Sequence, residues 1–251
     1  MENQINNEEE LALNKDSEET ISSENERVNK SSIDKTTDLE KFSLSKAADD
    51  KSKILSRCER LFMRYGIKSV TMDDVSRELG ISKKTLYQFF QNKEDLVHQI
   101  TVHHFDCQNL AVEQILKEAK TAIDEMFGIA NWMNAMSKNI NPSLIFDLRK
   151  YHPASWNVFI NHRNTEVYNS IKNNLERGVR EGIYREDLNV EIITRIYIAR
   201  VEMFIDNEIF PYDKFPPEKT FNVFIDYHIR GIATPKGIKL LEKIKSQKHG
   251  I

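Results

Sequence analysis

Residues 71–96 read TMDDVSRELGISKKTLYQFFQNKEDL, and their spacing leaves a chain little choice of fold. Thr71, followed three residues later by Asp74, is the pattern of a reciprocal helix N-cap. Met72, Val75 and Leu79 then recur at helical spacing, and Gly80 ends the helix because it tolerates the left-handed conformation. Ser82 is suited to cap the next helix, which starts at Lys83 and presents Leu86 and Phe90, four residues apart, as its apolar face. Asn92, ahead of Lys93, Glu94 and Asp95, opens another helix. Upstream, Ile54, Leu55, Cys58, Leu61, Phe62 and Tyr65 form one stripe of an amphipathic helix that Gly66 stops. Two short helices joined by a three-residue turn containing Gly80 make a helix-turn-helix.

Beyond residue 96 the pattern stays helical, with segments expected near 93–119, 121–139, 142–150, 154–181, 189–209, 217–231 and 236–246. Pro142, Pro153, Pro211, Pro216 and Pro217 stand at or near the breaks, where proline is tolerated. With no alternating strand pattern and no internal repeat, the expected fold class is all-α. Three regions follow: an acidic arm over 1–46, a helix-turn-helix domain over 47–96, and a larger helical domain over 97–251.

Charge separates these regions. Residues 1–50 carry 6 Lys/Arg against 14 Asp/Glu, a net of −8, whereas residues 51–98 carry 10 against 6, a net of +4. The arm has isolated apolar residues at no regular period, a composition that cannot offset ordering entropy, and it reads as disordered. Cys58 and Cys107 give no disulfide framework, which fits a reducing, cytoplasmic setting. The N-terminus lacks the apolar core of a signal peptide, and no apolar run approaches the ~18 residues a membrane span needs.

A helix-turn-helix presents the N-terminal part of its second helix to the major groove. Lysine can donate to guanine O6 and N7, and threonine can touch the thymine methyl, so Lys83, Lys84, Thr85, Tyr87 and Gln88 suit DNA contact on the outward side of that helix. Lys93, beside the free N–H groups of the following helix, makes a phosphate seat. The stretch from Lys51 to Leu96 resembles the DNA-binding signature of the TetR (tetracycline-repressor-like) family of bacterial transcription regulators. The resemblance rests on the spacing of Gly66, Thr71, Gly80, Thr85-Leu86-Tyr87, Phe90 and Asn92-Lys93, and the later NLERGVREGIYRED is similar in layout. It implies that Thr71, Tyr87 and Lys93 contact backbone phosphates, while Lys83, Lys84, Thr85 and Gln88 lie near bases. Phe89 departs from the family's usual His or Tyr, and the acidic arm is not part of the family pattern.

Helix 189–209, with Ile192, Ile193, Ile196, Tyr197, Ala199, Met203 and Phe204, is apolar over more than one stripe, as a buried or shared helix is. With Phe221, Phe224, Ile225 and Ile229 of helix 217–231 it suits a two-fold four-helix interface, where the resembled family forms its homodimer. Such a dimer spaces two recognition helices about 34 Å apart over a palindromic operator. The resemblance also implies a small-molecule effector pocket, for which Phe127, Trp132, Met133, Met136, Phe146, Trp156 and Phe159 are the expected lining. The effector's identity is not readable. His103 and Cys107 sit four apart, as paired metal ligands can, but no complete ligand set accompanies them, and neither metal nor cofactor is expected. No GxGxxG, GxxxxGK[ST], GxSxG or HExxH occurs, so a ligand-responsive repressor is expected rather than an enzyme. The alternative is a DNA-binding protein without a small-molecule effector, either governed by a protein partner or nucleoid-associated.

Overall fold

Local signals set the first three helices. The computed structural model describes residues 50–137, 141, 143–203, 209–211 and 213–248. The arm over 1–46 and Phe204 lie outside the described residues. Helix α1 (residues 50–65) ends at Gly66 and α2 (Met72–Leu79) at Gly80, both with positive φ (80° and 71°) that a glycine adopts without steric cost. Helix α3 (Lys83–Phe89) starts at its Ser82 cap, where the Thr85 N–H donates to Ser82 Oγ at 3.1 Å. Leu55, Cys58 and Phe62 of α1, Val75 and Leu79 of α2, and Leu86 and Phe90 pack into one buried cluster. Tyr65, expected on the same stripe, is 48% exposed, because the chain turns away at Gly66 before the stripe completes another turn.

The 26-residue α4 (Lys93–Glu118) begins in this cluster through Leu96, Val97 and Ile100 and runs on beyond it. Helices α5 (Ala122–Ser137), α6 (Ser143–Tyr151) and α7 (Pro153–His162) follow. The single helix expected over 154–181 is in fact interrupted. Arg163–Val167 forms a π-helical turn between α7 and α8 (Tyr168–Arg180), an i→i+5 insertion with no compositional signature. Helices α9 (Val190–Met203), α10 (Pro217–Ile232) and α11 (Pro235–Lys248) complete the described chain. No strand forms among the described residues, although Tyr184 and Ala233 make an isolated antiparallel bridge.

A second buried cluster joins α5, α8, α10 and α11 through Ile123, Leu175, Tyr184, Ile225, Ile229 and Leu241. Beside it Arg177 bridges the buried Glu125 and Glu181, and Asn174 donates to Glu125 and to the Ala122 carbonyl at 2.8 Å. The sequence reading of the α10 face needs correction here. Phe221, Phe224, Ile225 and Ile229, together with Tyr197 of α9, are all buried inside the subunit. The strongest apolar stripe closes the chain's own core first. What α9 and α10 leave outside is Ile192, Ile196, Met203, Val223 and Tyr227, of which Val223 and Tyr227 are 63% and 62% exposed.

Two stability predictions follow from this core. A Cβ on Gly178 would stand 1.9 Å from Tyr184 Cδ2, and the Tyr184 ring is fully buried with its hydroxyl on Asn174 at 3.3 Å. Gly178→Ala should therefore cost about 1–3 kcal/mol, read as a lower Tm. Separately, burial first, and Arg200 second, push the His228 imidazole down to about pKa 4. An unfolded histidine titrates near 6.5, so in the window between about 6.5 and 4 only the unfolded chain takes up this proton, and stability falls on acidification. Denaturant titrations across that window should show a His228-dependent loss approaching about 3 kcal/mol, absent in His228→Leu.

Candidate nucleic-acid interface and the cavity behind it

The α2 N-terminus is a complete capping box. Thr71 donates to Asp74 Oδ2 from its backbone N–H (2.9 Å) and its hydroxyl (2.6 Å), and its Oγ1 accepts the Asp74 N–H (3.2 Å). These hydrogen bonds from Thr71 hold the Asp74 carboxyl below its usual range. With its hydroxyl set this way, Thr71 stands exposed at the positive end of the helix, where backbone N–H groups attract an anion.

On α3 the two faces divide as the sequence requires. Leu86 and Phe90 are almost fully buried, while Lys83, Lys84, Tyr87 and Gln88 are exposed and Thr85 is half-buried beside Ser82 Oγ. Lys83 Nζ lies 2.6 Å from Asp73 Oδ1, a surface pair of small energetic weight that DNA can displace. Phe89 is 38% exposed and tilted against Phe90, an apolar ring on the outward side that the sequence reading left without a role. Lys93 is partly sunk at the start of α4, and its Nζ donates to the Lys68 carbonyl at 3.4 Å. Burial lowers its pKa, against the pull of Asp147 and Asp74.

Behind this surface lies a cavity of about 1010 Å³. Its wall takes Phe62 and Met63 from α1, Ile100 and Phe105 from α4, Leu144 and Leu148 from α6, and Phe221 from α10. Of the lining expected from sequence, Trp132, Met133, Met136 and Phe159 border the cavity. The other three do not. Phe127 packs against the C-terminal core, Trp156 stacks on Phe159 (4.8 Å) at the edge of the helix-turn-helix core, and Phe146 is 56% exposed on the outer side of α6. Which face of a helix turns inward is decided by its neighbours, and composition does not carry that information.

The polar groups on the wall were the ones missed. His104 Nδ1 lies 2.6 Å from Glu59 Oε1, and His162 Nε2 lies 2.9 Å from Asn109 Oδ1 with its ring stacked on Phe105 at 4.2 Å. Burial lowers the His162 pKa. The π turn brings Arg163 and Glu166 to the same wall. As for metal ligands, His103 is 3.1 Å from Ser56 Oγ and its nitrogens are 3.7 and 3.9 Å from Cys107 Sγ. Among the described residues no group of three or more His, Cys, Asp or Glu is placed to hold a metal ion. No described helix is long and apolar enough to cross a membrane.

A capped helix-turn-helix whose second helix turns its lysines outward is a surface suited to DNA. Residues 54–100 match the family described as bacterial regulatory proteins, tetR family. The HTH-type transcriptional regulator YhgD of Bacillus subtilis is 26% identical over 172 residues, covering 61% of this chain and 83% of YhgD. The HTH-type transcriptional repressor KstR2 of Mycolicibacterium smegmatis is 23% identical over 154 residues, covering 60% of this chain and 75% of the repressor. In fold the chain is similar to a TetR-family transcriptional regulator from Agrobacterium tumefaciens, with TM-score 0.62 at 16% identity over 74% of this chain and 99% of the other. Residues 54–100 thus carry a tetR-family DNA-binding region, and the chain as a whole is similar to TetR-family transcriptional regulators.

The two tryptophans allow the cavity to be read optically, because only Trp132 lies on its wall. In a Trp156→Phe variant, a small molecule entering the cavity should shift or quench the remaining emission saturably. Removing wall volume with Trp132→Ala should weaken binding, which calorimetry measures without needing the fluorophore.

Proposed function

We propose that this regulator is a homodimeric, ligand-responsive repressor that reads a palindromic operator, with a large and mainly apolar effector occupying the cavity. The observation that carries the reading is the cavity wall itself, which includes Phe62 and Met63 of α1 as well as residues of α4 to α7 and α10. A ligand there touches both the helix-turn-helix module and the helices behind it. A ligand that favours one arrangement of these elements shifts the population toward it, and coupling of about 1–3 kcal/mol changes operator affinity about 5–150-fold. A ring-rich effector is supported by the mostly apolar wall with a few convergent polar groups. One solved structure similar in fold, 18% identical with TM-score 0.50, is that of the ketosteroid transcriptional regulator KstR2 of Mycobacterium tuberculosis.

On this reading Lys83, Lys84, Thr85 and Gln88 lie at base edges, and Thr71, Tyr87 and Lys93 contact phosphates. The homodimer forms through α9 and α10. The support for that interface is their exposed Ile192, Ile196, Met203, Val223 and Tyr227, an apolar set that an isolated subunit leaves in water. Sedimentation at micromolar concentration should give a dimer, and Val223→Glu with Tyr227→Glu should give a folded monomer with weakened operator binding.

Lysines 84 and 93 separate the two kinds of DNA contact. On an operator selected from random duplexes, Lys84→Ala should cost about 1–3 kcal/mol and relax preference at one position of each half-site. Lys93→Ala should weaken selected and scrambled duplexes alike and flatten the salt dependence by about one unit per protomer. The opposite pattern would reverse the assignment, and no effect from either would remove α3 from the groove.

A further inference from the structure

We propose that the C-terminal end of α6, outside the helix-turn-helix, is a second seat for DNA backbone phosphates, formed by Lys150 and Tyr151 together with Lys68. The inference rests on the reading that α3 docks in the major groove.

The three side chains are held together and open. Lys68 Nζ lies 3.4 Å from the Tyr151 hydroxyl and 5.1 Å from its ring centre, and Lys150 Nζ lies 5.4 Å from the same ring. Lys68 and Lys150 are exposed, and Tyr151 is 39% exposed although it is a large aromatic. Phe146, which the cavity does not use, supplies a second ring against which Lys150 is laid at 5.1 Å. The nearby carboxylates are occupied. Asp147 is buried and accepts the Lys68 backbone N–H at 2.9 Å, and Glu94 is taken by His152 Nδ1 at 2.5 Å. Among the described residues no carboxylate pairs with Lys68 or Lys150. The hydrogen bond from Lys68 first, and the charge of Lys150 beside it, lower the Tyr151 hydroxyl's pKa.

Two ammonium groups and a hydroxyl presented together are the donor set that phosphate oxygens take. The patch is continuous with the proposed DNA surface, because the Lys68 carbonyl is the group that holds Lys93 Nζ at 3.4 Å. Duplex DNA lying on Thr71 and Lys93 therefore meets Lys68 next, and through it Tyr151 and Lys150. The opposite side of the same helix, Leu144, Ile145 and Leu148, lines the cavity, so one short helix carries a ligand wall and a phosphate seat.

The test uses the full-length protein and a duplex it selects from random DNA, with a scrambled duplex beside it, titrated between about 50 and 200 mM salt. Lys150→Gln and Lys68→Gln should each weaken both duplexes about 3–10-fold and lower the slope of log affinity against log salt by about one unit per protomer, with Tm unchanged. Tyr151→Phe should weaken binding with the slope kept. Lys84→Ala and Lys93→Gln are the controls for groove docking. If they impair binding while Lys150→Gln and Lys68→Gln match the wild type, the α6 seat is overturned and groove docking stands. If Lys150→Gln changes sequence preference instead of overall affinity, the seat is a base contact and the proposal also falls. If Lys84→Ala and Lys93→Gln leave binding intact, the docking reading fails and takes the seat with it.

Discussion

Asp147 is a buried carboxylate, and a buried carboxylate is tolerable only where donors reach it. Its donors are the Lys68 backbone N–H at 2.9 Å and the Ser143 hydroxyl at 3.5 Å. That places the loop between α1 and α2 under the control of a helix nearly eighty residues further on. The same loop begins at Gly66, where an added Cβ would come 2.7 Å from Ser143 Oγ. The residue just ahead of α6 is also tied to α1, where the Met63 carbonyl takes the Asn141 N–H at 2.6 Å. The loop ends at Thr71, and its Lys68 carbonyl holds Lys93. Thr71 and Lys93, phosphate contacts on the proposed reading, thus adjoin a loop that one part-buried hydrogen bond ties to α6.

The packing around that bond is apolar and shared. Leu148, one residue beyond Asp147, is buried in the helix-turn-helix core and also borders the cavity. A close-packed neighbour cannot absorb a displaced side chain without moving itself. On the proposed reading, a ligand filling the cavity next to Leu148 and Phe62 would act on the module's core directly, with no need for a long relay. The His152–Glu94 contact adds a second tie, from the α6–α7 junction to the first turn of α4.

How much of this the sequence could carry follows from the range of each interaction. The helix-turn-helix was legible because its determinants lie within a few residues of each other: Thr71 with Asp74, Ser82 with Thr85, Asn92 with Asp95, and glycines at both turns where φ is positive. The fold class was legible for the same reason. The cavity was legible only in part. Trp132 and Phe146 are both aromatic residues on helices, and nothing local distinguishes the one on the wall from the one in water. The π turn at Arg163–Val167 left no mark in composition, and it is what turns Arg163 and Glu166 to the wall. The α10 stripe misled in an instructive way. Phe221, Phe224, Ile225 and Ile229 are the obvious apolar face, and the obvious face is spent on the subunit's own core, which leaves Val223 and Tyr227 for any partner.

These ties bear on what an effector can change. Base contacts on α3 depend on hydrogen-bond geometry that fails over a fraction of an ångström, but α3 is set by Leu86 and Phe90 inside the module and touches the cavity with none of its residues. The groups coupled to α6 are Thr71, Lys68 and Lys93, through the loop that Asp147 holds. On the proposed reading, a ligand that displaces α6 therefore acts on phosphate contacts, which position the protein but carry no sequence information. Release by this route lowers affinity for cognate and unrelated duplexes together, and it leaves the order of preference among operators as it was. In a dimer both α6 helices respond, so a loss of about 1 kcal/mol per protomer already reaches the middle of the coupling range of about 1–3 kcal/mol that regulation needs.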